Sequence, residues 1–246
     1  MDTIILQICD LAKECGSSIL NAHRDNMHIT SKAGSANFVT EYDTAIQERL
    51  RKGLKNIVPS AQFIGEEGDY ATESNDTLFF IVDPIDGTTN FIRDLHASCI
   101  SIALVDNDAV QIGVVYNPYT DEMFYAKRGA GAFCNHHPIH VSCQPLSNGI
   151  VLVGTSPYNR ELGQETFKLA YEYFQKSLDI RRSGSAAIDL CSVACGRAEL
   201  YFELHLSPWD YAAGSLIVEE AGGVVTTMDG GPLSLKHPCS LLAKNK

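Results

Sequence analysis

Apolar residues at Ile4, Ile8, Leu11, Cys15, Ile19 and Ala22 recur at spacings of three and four, the stripe of an amphipathic helix whose apolar face packs on a sheet. A polar loop holding Lys32, Gly34 and Asn37 follows. A second stripe, Ile46, Leu50, Leu54 and Ile57, begins near Asp43 and stops before Pro59, which cannot continue a helix. Strand-like runs then come at 62–64, 78–82, 98–105, 110–116, 123–126 and 132–134, separated by Asn, Asp, Gly and Pro turns. They predict a meandering, largely antiparallel sheet. The pattern then alternates: strand 150–154, helix 161–175, strand 178–180, helix 185–195, strand 199–204 and helix 209–221. Gly222-Gly223 closes that last helix, and strands at 224–228 and 240–243 complete the chain.

No repeat, low-complexity linker or charge block separates the two patterns. They predict two α/β layer systems joined tightly near 138–148, with helices covering sheets. The 246 residues, 45% of them hydrophobic, suffice for a sizeable core. Nineteen Lys and Arg against thirty Asp and Glu leave a net charge of −11. That balance disfavours nucleic acid or an acidic membrane surface as partner, because both need a basic face. The chain starts Met1-Asp2-Thr3 with Asp10 close behind, and no apolar run approaches the roughly 20 residues of a membrane span. The expected location is cytoplasmic. Eight scattered cysteines fit small buried hydrophobes rather than a disulfide framework. Cys134, His136, His137, His140 and Cys143 crowd together, but a hairpin would put them on alternating faces, which opposes a tetrahedral zinc site.

The chemistry gathers at element ends. The buried-strand run Leu78-Phe79-Phe80-Ile81-Val82 delivers Asp83-Pro84-Ile85-Asp86-Gly87-Thr88-Thr89-Asn90 at its carboxyl end, where α/β proteins place ligands. Pro84 turns the chain and can aim both aspartates at one point. A helix starting near Thr88 would offer the N–H groups of Gly87, Thr88 and Thr89 to a phosphate, although a strand-to-helix turn with an aspartate cap explains the same residues. Gln62-Phe63-Ile64-Gly65 ends in Glu66-Glu67, and Pro208-Trp209-Asp210 opens a helix; a solvated loop and a helix-start carboxylate are the plain readings. Together, however, carboxylates at four buried ends would repel by about 4 kcal/mol per pair at roughly 4 Å and an effective dielectric of about 20, unless cations lie between them. An all-oxygen set suits Mg²⁺. Glu66, Asp83, Asp86 and Asp210 match the charge of two such ions, which can clamp attacking and leaving oxygens of an in-line displacement.

Gly65-Glu66-Glu67, the segment from Asp83 to Phe91 and Trp209-Asp210-Tyr211-Ala212-Ala213-Gly214 resemble the inositol monophosphatase family, and the resemblance runs from about Lys32 to Gly223. It implies a layered αβαβα sandwich of mixed α+β class, Mg²⁺-dependent phosphate-monoester hydrolysis with two or three ions per site, lithium sensitivity and a homodimer. By the same resemblance, Glu66, Asp83, the Ile85 carbonyl, Asp86 and Asp210 ligate metal. Thr88, paired with Asp43 of Val39-Thr40-Glu41-Tyr42-Asp43, helps to activate water, with Glu66 as a further catalytic residue. Asp86, Gly87, Thr88, Ala186, Glu203 and Asp210 meet the substrate, Glu67 supports the metal shell and Lys32 lies on a mobile loop nearby. Residues 1–140 would carry most ligands, and 141–246 would carry Asp210 and the substrate pocket. Each residue also has a plain reading: Thr88 as a cap, Ala186 as part of a helix start, Asp43 as a dipole partner, Lys32 as a surface lysine and Glu203 as a strand-edge carboxylate. His205, where many members of the family have a small residue, alters the expected leaving-group pocket; His136 replaces a usual hairpin glycine.

Rival readings fit less well. A haloacid-dehalogenase loop needs its two aspartates two apart and near the chain start, not three apart and a third of the way along. Gly129-Ala130-Gly131 precedes no helix, which opposes a dinucleotide site. A regulator that uses a phosphatase fold to bind protein is a different class of reading. The expected substrate is a small polyol or sugar monophosphate, inositol monophosphate first, with fructose 1,6-bisphosphate, a nucleotide 3′-phosphate or NADP as alternatives.

Overall fold

The two N-terminal stripes fold as α1 (Thr3–Leu20) and α2 (Glu41–Ile57) in a computed structural model that describes residues 3–23, 27–31, 38–68 and 77–246. Lys32, Gly34 and Asn37 lie outside the described residues. Between the helices, β1 (Ile29–Ser31) and β2 (Phe38–Thr40) form an antiparallel pair that the sequence pattern did not predict, since three residues are too few to show alternation. α2 starts on a reciprocal cap: the Thr40 side chain accepts from the Asp43 N–H, and the Asp43 carboxylate accepts from the Thr40 N–H at 2.7 Å.

The runs that follow form one seven-stranded sheet in chain order: β3 (Gln62–Gly65), β4 (Leu78–Asp86), β5 (Cys99–Asp106), β6 (Ala109–Asn117), β7 (Glu122–Lys127), β8 (Ala132–Cys134) and β9 (His137–Ile139). Only the β3–β4 pair is parallel. The β8–β9 turn has positive φ at both Asn135 (47°) and His136 (70°), the geometry that matches hairpin twist, and His136 Nδ1 meets the Tyr125 hydroxyl at 3.1 Å.

The second sheet holds β10 (Ile150–Val153), β11 (Asp179–Arg181), β12 (Leu200–Leu206), β13 (Val224–Thr226) and β14 (Cys239–Lys244) in the order β11-β10-β12-β14-β13. β10, β11 and β12 run parallel, while β14 is antiparallel to both neighbours. The helices of this half are α4 (Gly163–Phe174), α5 (Ala186–Ala194) and α6 (Pro208–Glu220). The predicted helix at 161–175 begins instead as a tight turn at Arg160–Leu162 before Gly163.

Side-chain alternation explains the layering. Phe79 and Ile81 of β4 enter a core with α5 and α6, whereas Phe80 and Val82 enter one with α1 and α2. In the second sheet Leu152 and Tyr201 face α5 and α6, while Val151, Val153, Leu200 and Phe202 face α4. Both faces of each sheet are therefore covered, so its strands read as continuous apolar runs. The order is helix, sheet, helix, sheet, helix: the αβαβα sandwich. α6 is buried on nearly every side, and it sits so close to β6 that a Cβ on Gly113 would lie 2.6 Å from the Ala213 carbonyl.

Candidate metal and phosphate site

A single bulge brings the two aspartates of β4 together. Alternation alone puts residues three apart on opposite faces. Asp83 pairs with Ser101 and Asp86 with Cys99, so β4 spends one residue more than β5 between those pairs, and the parity is restored. Pro84, without an N–H for the ladder, sits in this irregular stretch. Asp83 and Asp86 thus share the face that looks toward α5 and α6, while Ile85 turns into the opposite core.

α6 supplies the third carboxylate. Its cap is Ser207 with Pro208 first in the helix, and Asp210 at the third position accepts the Ser207 N–H at 2.7 Å. Oxygens of Asp83, Asp86 and Asp210 lie within 4.8 Å of one another. Among the described residues this is the one such grouping of three or more His, Cys, Asp or Glu side chains; the Cys134 to Cys143 cluster does not converge. Glu66 follows β3, where its N–H continues the parallel ladder to the Val82 carbonyl at 3.1 Å.

Each carboxylate has an oxygen tied to protein. Asp83 Oδ1 takes the Ile85 N–H at 2.9 Å, and Asp86 Oδ2 takes the Ser185 hydroxyl at 2.6 Å and the Ala187 N–H at 2.7 Å. Such ties fix the plane of each group. Burial, and then Glu66, Asp86 and Asp210, push the Asp83 carboxyl well above the usual range. Burial raises Asp86 to about 6 against the bonds from Ser185, Ala187 and Ala186, and burial followed by Asp86 and Glu66 raises Asp210. Cations among these carboxylates would relieve that repulsion. An all-oxygen, carboxylate-rich donor set of this kind fits Mg²⁺.

Asp43 and Thr88 also meet. Thr88 Oγ1 lies 3.2 Å from Asp43 Oδ1 and 3.1 Å from the Ile85 carbonyl, to either of which it can donate. Asp43 thus serves both as helix cap and as partner of Thr88. It is fully buried, and burial outweighs its hydrogen bonds in raising its pKa. Gly87 has φ 92° before the short helix α3 (Thr88–Ile92), whose first N–H groups have no acceptor within the helix. A Cβ at Gly87 would press to 2.9 Å from the Ala97 carbonyl, so the position needs glycine.

Glu66, Asp83, Ile85, Asp86, Gly87, Thr88, Ala186, Glu203 and Asp210 line one cleft of about 610 Å³. Asp43 does not line the cleft and meets it through Thr88. Glu67 is held behind the site, its N–H at 3.0 Å and its carbonyl at 2.5 Å from the two ends of the Gln47 amide. The far wall comes from the carboxyl ends of β10, β11 and β12, where parallel strands gather ligands. It carries Ser156, Tyr158, Arg182, Glu203 and His205. Glu203 accepts the Ser156 N–H at 2.6 Å and the Tyr201 hydroxyl at 2.7 Å. Ser156 has φ 40° and also bonds the His205 backbone. Sequence reasoning missed Gln47, Ser156, Tyr158 and the contact of Ser185 with Asp86. Only Gln47 left a signal, a polar residue on the apolar stripe of α2.

Residues 1–246 match the model of the inositol monophosphatase family. The chain belongs to the inositol monophosphatase family. It is similar to inositol monophosphatase 2 of Solanum lycopersicum, 40% identical over 243 residues that cover 96% of this chain and 91% of the relative. It is also similar to the Nus factor SuhB of Xylella fastidiosa, 38% identical over 227 residues covering 90% and 82%. The crystal structure of the extragenic suppressor protein suhB from Bartonella henselae superposes with a TM-score of 0.92 at 33% identity, covering 100% of this chain and 95% of that one. As a member of the inositol monophosphatase family, the protein is a phosphoric monoester hydrolase.

Proposed function

We propose that the protein hydrolyses a small phosphorylated polyol or sugar, inositol monophosphate first, with two or three Mg²⁺ ions in the carboxylate cluster. The observation that carries this is the convergence of Asp83, Asp86 and Asp210 on one point. Glu66, those three aspartates and the Ile85 carbonyl would hold the ions. When bound, Mg²⁺ neutralises the carboxylates, polarises phosphate and lowers the pKa of water. Thr88, held by Asp43, orients the attacking water, with Glu66 beside it. The N–H groups of Gly87 and Thr88 hold phosphate oxygens, and Glu203 accepts hydroxyls of the leaving group. The Ala186 N–H bonds Asp86, so Ala186 would meet substrate through the surface it gives the cleft. Glu67 supports the site from the turn after β3.

The halves 1–140 and 141–246 act as one unit, and the cleft between their strand ends supports that reading. Family membership supports a homodimer and lithium sensitivity; sedimentation and a lithium titration test them. No helix among the described residues is long and apolar enough to cross a membrane. The net charge of −11 is what supports a cytoplasmic protein whose partners are neither membrane nor nucleic acid. Relatives named Nus factor SuhB favour a second reading, a regulator that binds protein on this fold. A phosphate-release panel of inositol, sugar, fructose and nucleotide phosphates and NADP, with and without Mg²⁺, decides between them. Mg²⁺-dependent release supports the hydrolase reading; silence throughout, with metal bound, favours the regulator.

A further inference from the structure

The Asp86 carboxylate stands on β4 of the first sheet, yet what holds it comes from the helix layer that the second half inserts between the sheets. The Ser185 hydroxyl reaches Oδ2 at 2.6 Å and the Ala187 N–H at 2.7 Å, across about a hundred residues of chain. The Ala186 N–H also bonds this carboxylate, and from the first sheet's own β5 the Cys99 thiol lies 3.8 Å from the same oxygen. Ser185 is also the N-cap of α5, accepting the Ile188 N–H at 3.3 Å. A second stitch lies beside it, where Asn90 Nδ2 donates to Ala97 O at 2.7 Å and to Ser183 O at 2.9 Å. Fixing Asp86 therefore requires α5 to be docked, and ordering Asp86 around a cation should in turn hold α5 in place.

Resting on the Mg²⁺ reading above, we propose that Ser185 is a positioning residue for the metal site: it aims Asp86 from the opposite half, so that cation binding and docking of α5 are coupled. A hydrogen-bond partner of a metal-ligating carboxylate typically changes metal affinity by 10- to 100-fold. Glycine caps a helix nearly as well as serine but has no hydroxyl, so Ser185→Gly separates the two roles of this side chain.

The test is calorimetric titration of Mg²⁺ into the chelator-treated full chain, with amide hydrogen exchange of residues 186–190 followed in the same samples. Ser185→Gly should weaken Mg²⁺ binding about tenfold or more while the metal-free melting temperature stays near that of wild type. Ser185→Thr, which keeps the hydroxyl, should bind within about twofold of wild type. Mg²⁺ should slow exchange across 186–190 in wild type and in Ser185→Thr, and not in Ser185→Gly. Wild-type affinity in Ser185→Gly, or exchange in the wild type that ignores Mg²⁺, overturns the coupling. If the wild type itself binds no Mg²⁺, the metal reading falls together with it; if it binds and the glycine variant binds equally, only the role of Ser185 falls. Should Ser185→Gly fail to fold, the exchange of wild type and Ser185→Thr still decides.

Discussion

The cleft wall at the ends of β3 and β4 and the start of α6 is acidic, with Asp83 2% and Asp86 7% exposed, whereas Tyr158, Arg182 and His205 on the opposite wall are exposed. On the first wall a backbone N–H or a hydroxyl holds each aspartate. On the second, Glu203 is held tightly by Ser156 and Tyr201, while the side chains above it have few ties. Rigid carboxylates suit a reaction step shared by many substrates, because metal chemistry tolerates little misplacement. Exposed side chains suit recognition of the leaving group, which can change without disturbing that step. The comparison therefore predicts that damage to the first wall stops turnover for every substrate, and damage to the second reorders substrates.

The largest effect falls on Asp83. Asp83→Asn should lower phosphate release by about a thousandfold or more on every substrate of the panel. Without metal, the same variant should melt a few degrees higher than wild type, since it removes one of several buried carboxylates that repel each other. A lower melting temperature in chelator would show that the cluster is not under electrostatic stress. Next comes Thr88→Ala, for which kcat should fall about 100-fold while the Mg²⁺ activation curve stays in place, because Thr88 touches Asp43 and the Ile85 carbonyl and is not itself a proposed ligand. If metal affinity collapses first, its assignment to water is wrong.

Glu203→Gln tests the other wall. Specificity constants should shift by roughly 1–3 kcal/mol for substrates whose leaving group bonds the carboxylate, and little for the rest. An equal loss on every substrate, or a shift in Mg²⁺ dependence, would move Glu203 to the metal network or to the fold. The smallest effect concerns the seam far from the cleft, where Arg197 beyond α5 pairs with Glu122 of β7. The Arg197 guanidinium lowers the Glu122 pKa, so the pair stabilises the fold above the ordinary glutamate range and loses that contribution as pH falls through the depressed value. Arg197→Ala should cost at most about 1 kcal/mol at neutral pH, since the arginine is half exposed, and the difference from wild type should shrink on acidification in thermal melts.

The first wall was legible in the sequence because its chemistry is local. Asp83 and Asp86 sit three residues apart at the end of an unbroken apolar run, and Asp210 announces itself by Pro208 at a helix start. Even there the residues alone predicted a strand ending at Val82; the bulge that carries the strand on to Asp86 depends on pairing with Cys99 and Ser101, which no local pattern encodes. Gln47 showed as a polar residue on an apolar stripe, without any hint that its amide holds the Glu67 backbone. The segment around Ala186 read as a helix start, which it is, but the bond of its cap Ser185 to Asp86 spans two halves of the chain and left no local trace. On the far wall Ser156 and Tyr158 left no local signal, because the loop that carries them is held by a bond from Ser156 to the distant Glu203, and His205 stood out only against the family pattern.

Whether the first wall works as a cation site is read from Mg²⁺ binding by calorimetry in chelator-treated wild type, Asp83→Asn and Asp210→Asn, with phosphate release followed on the same samples. The wild type should bind Mg²⁺ and recover turnover as the ions bind, while each variant should lose most of both and keep its fold. Turnover that persists in wild type after verified metal removal, or variants that bind Mg²⁺ as wild type does, would contradict a cation site there.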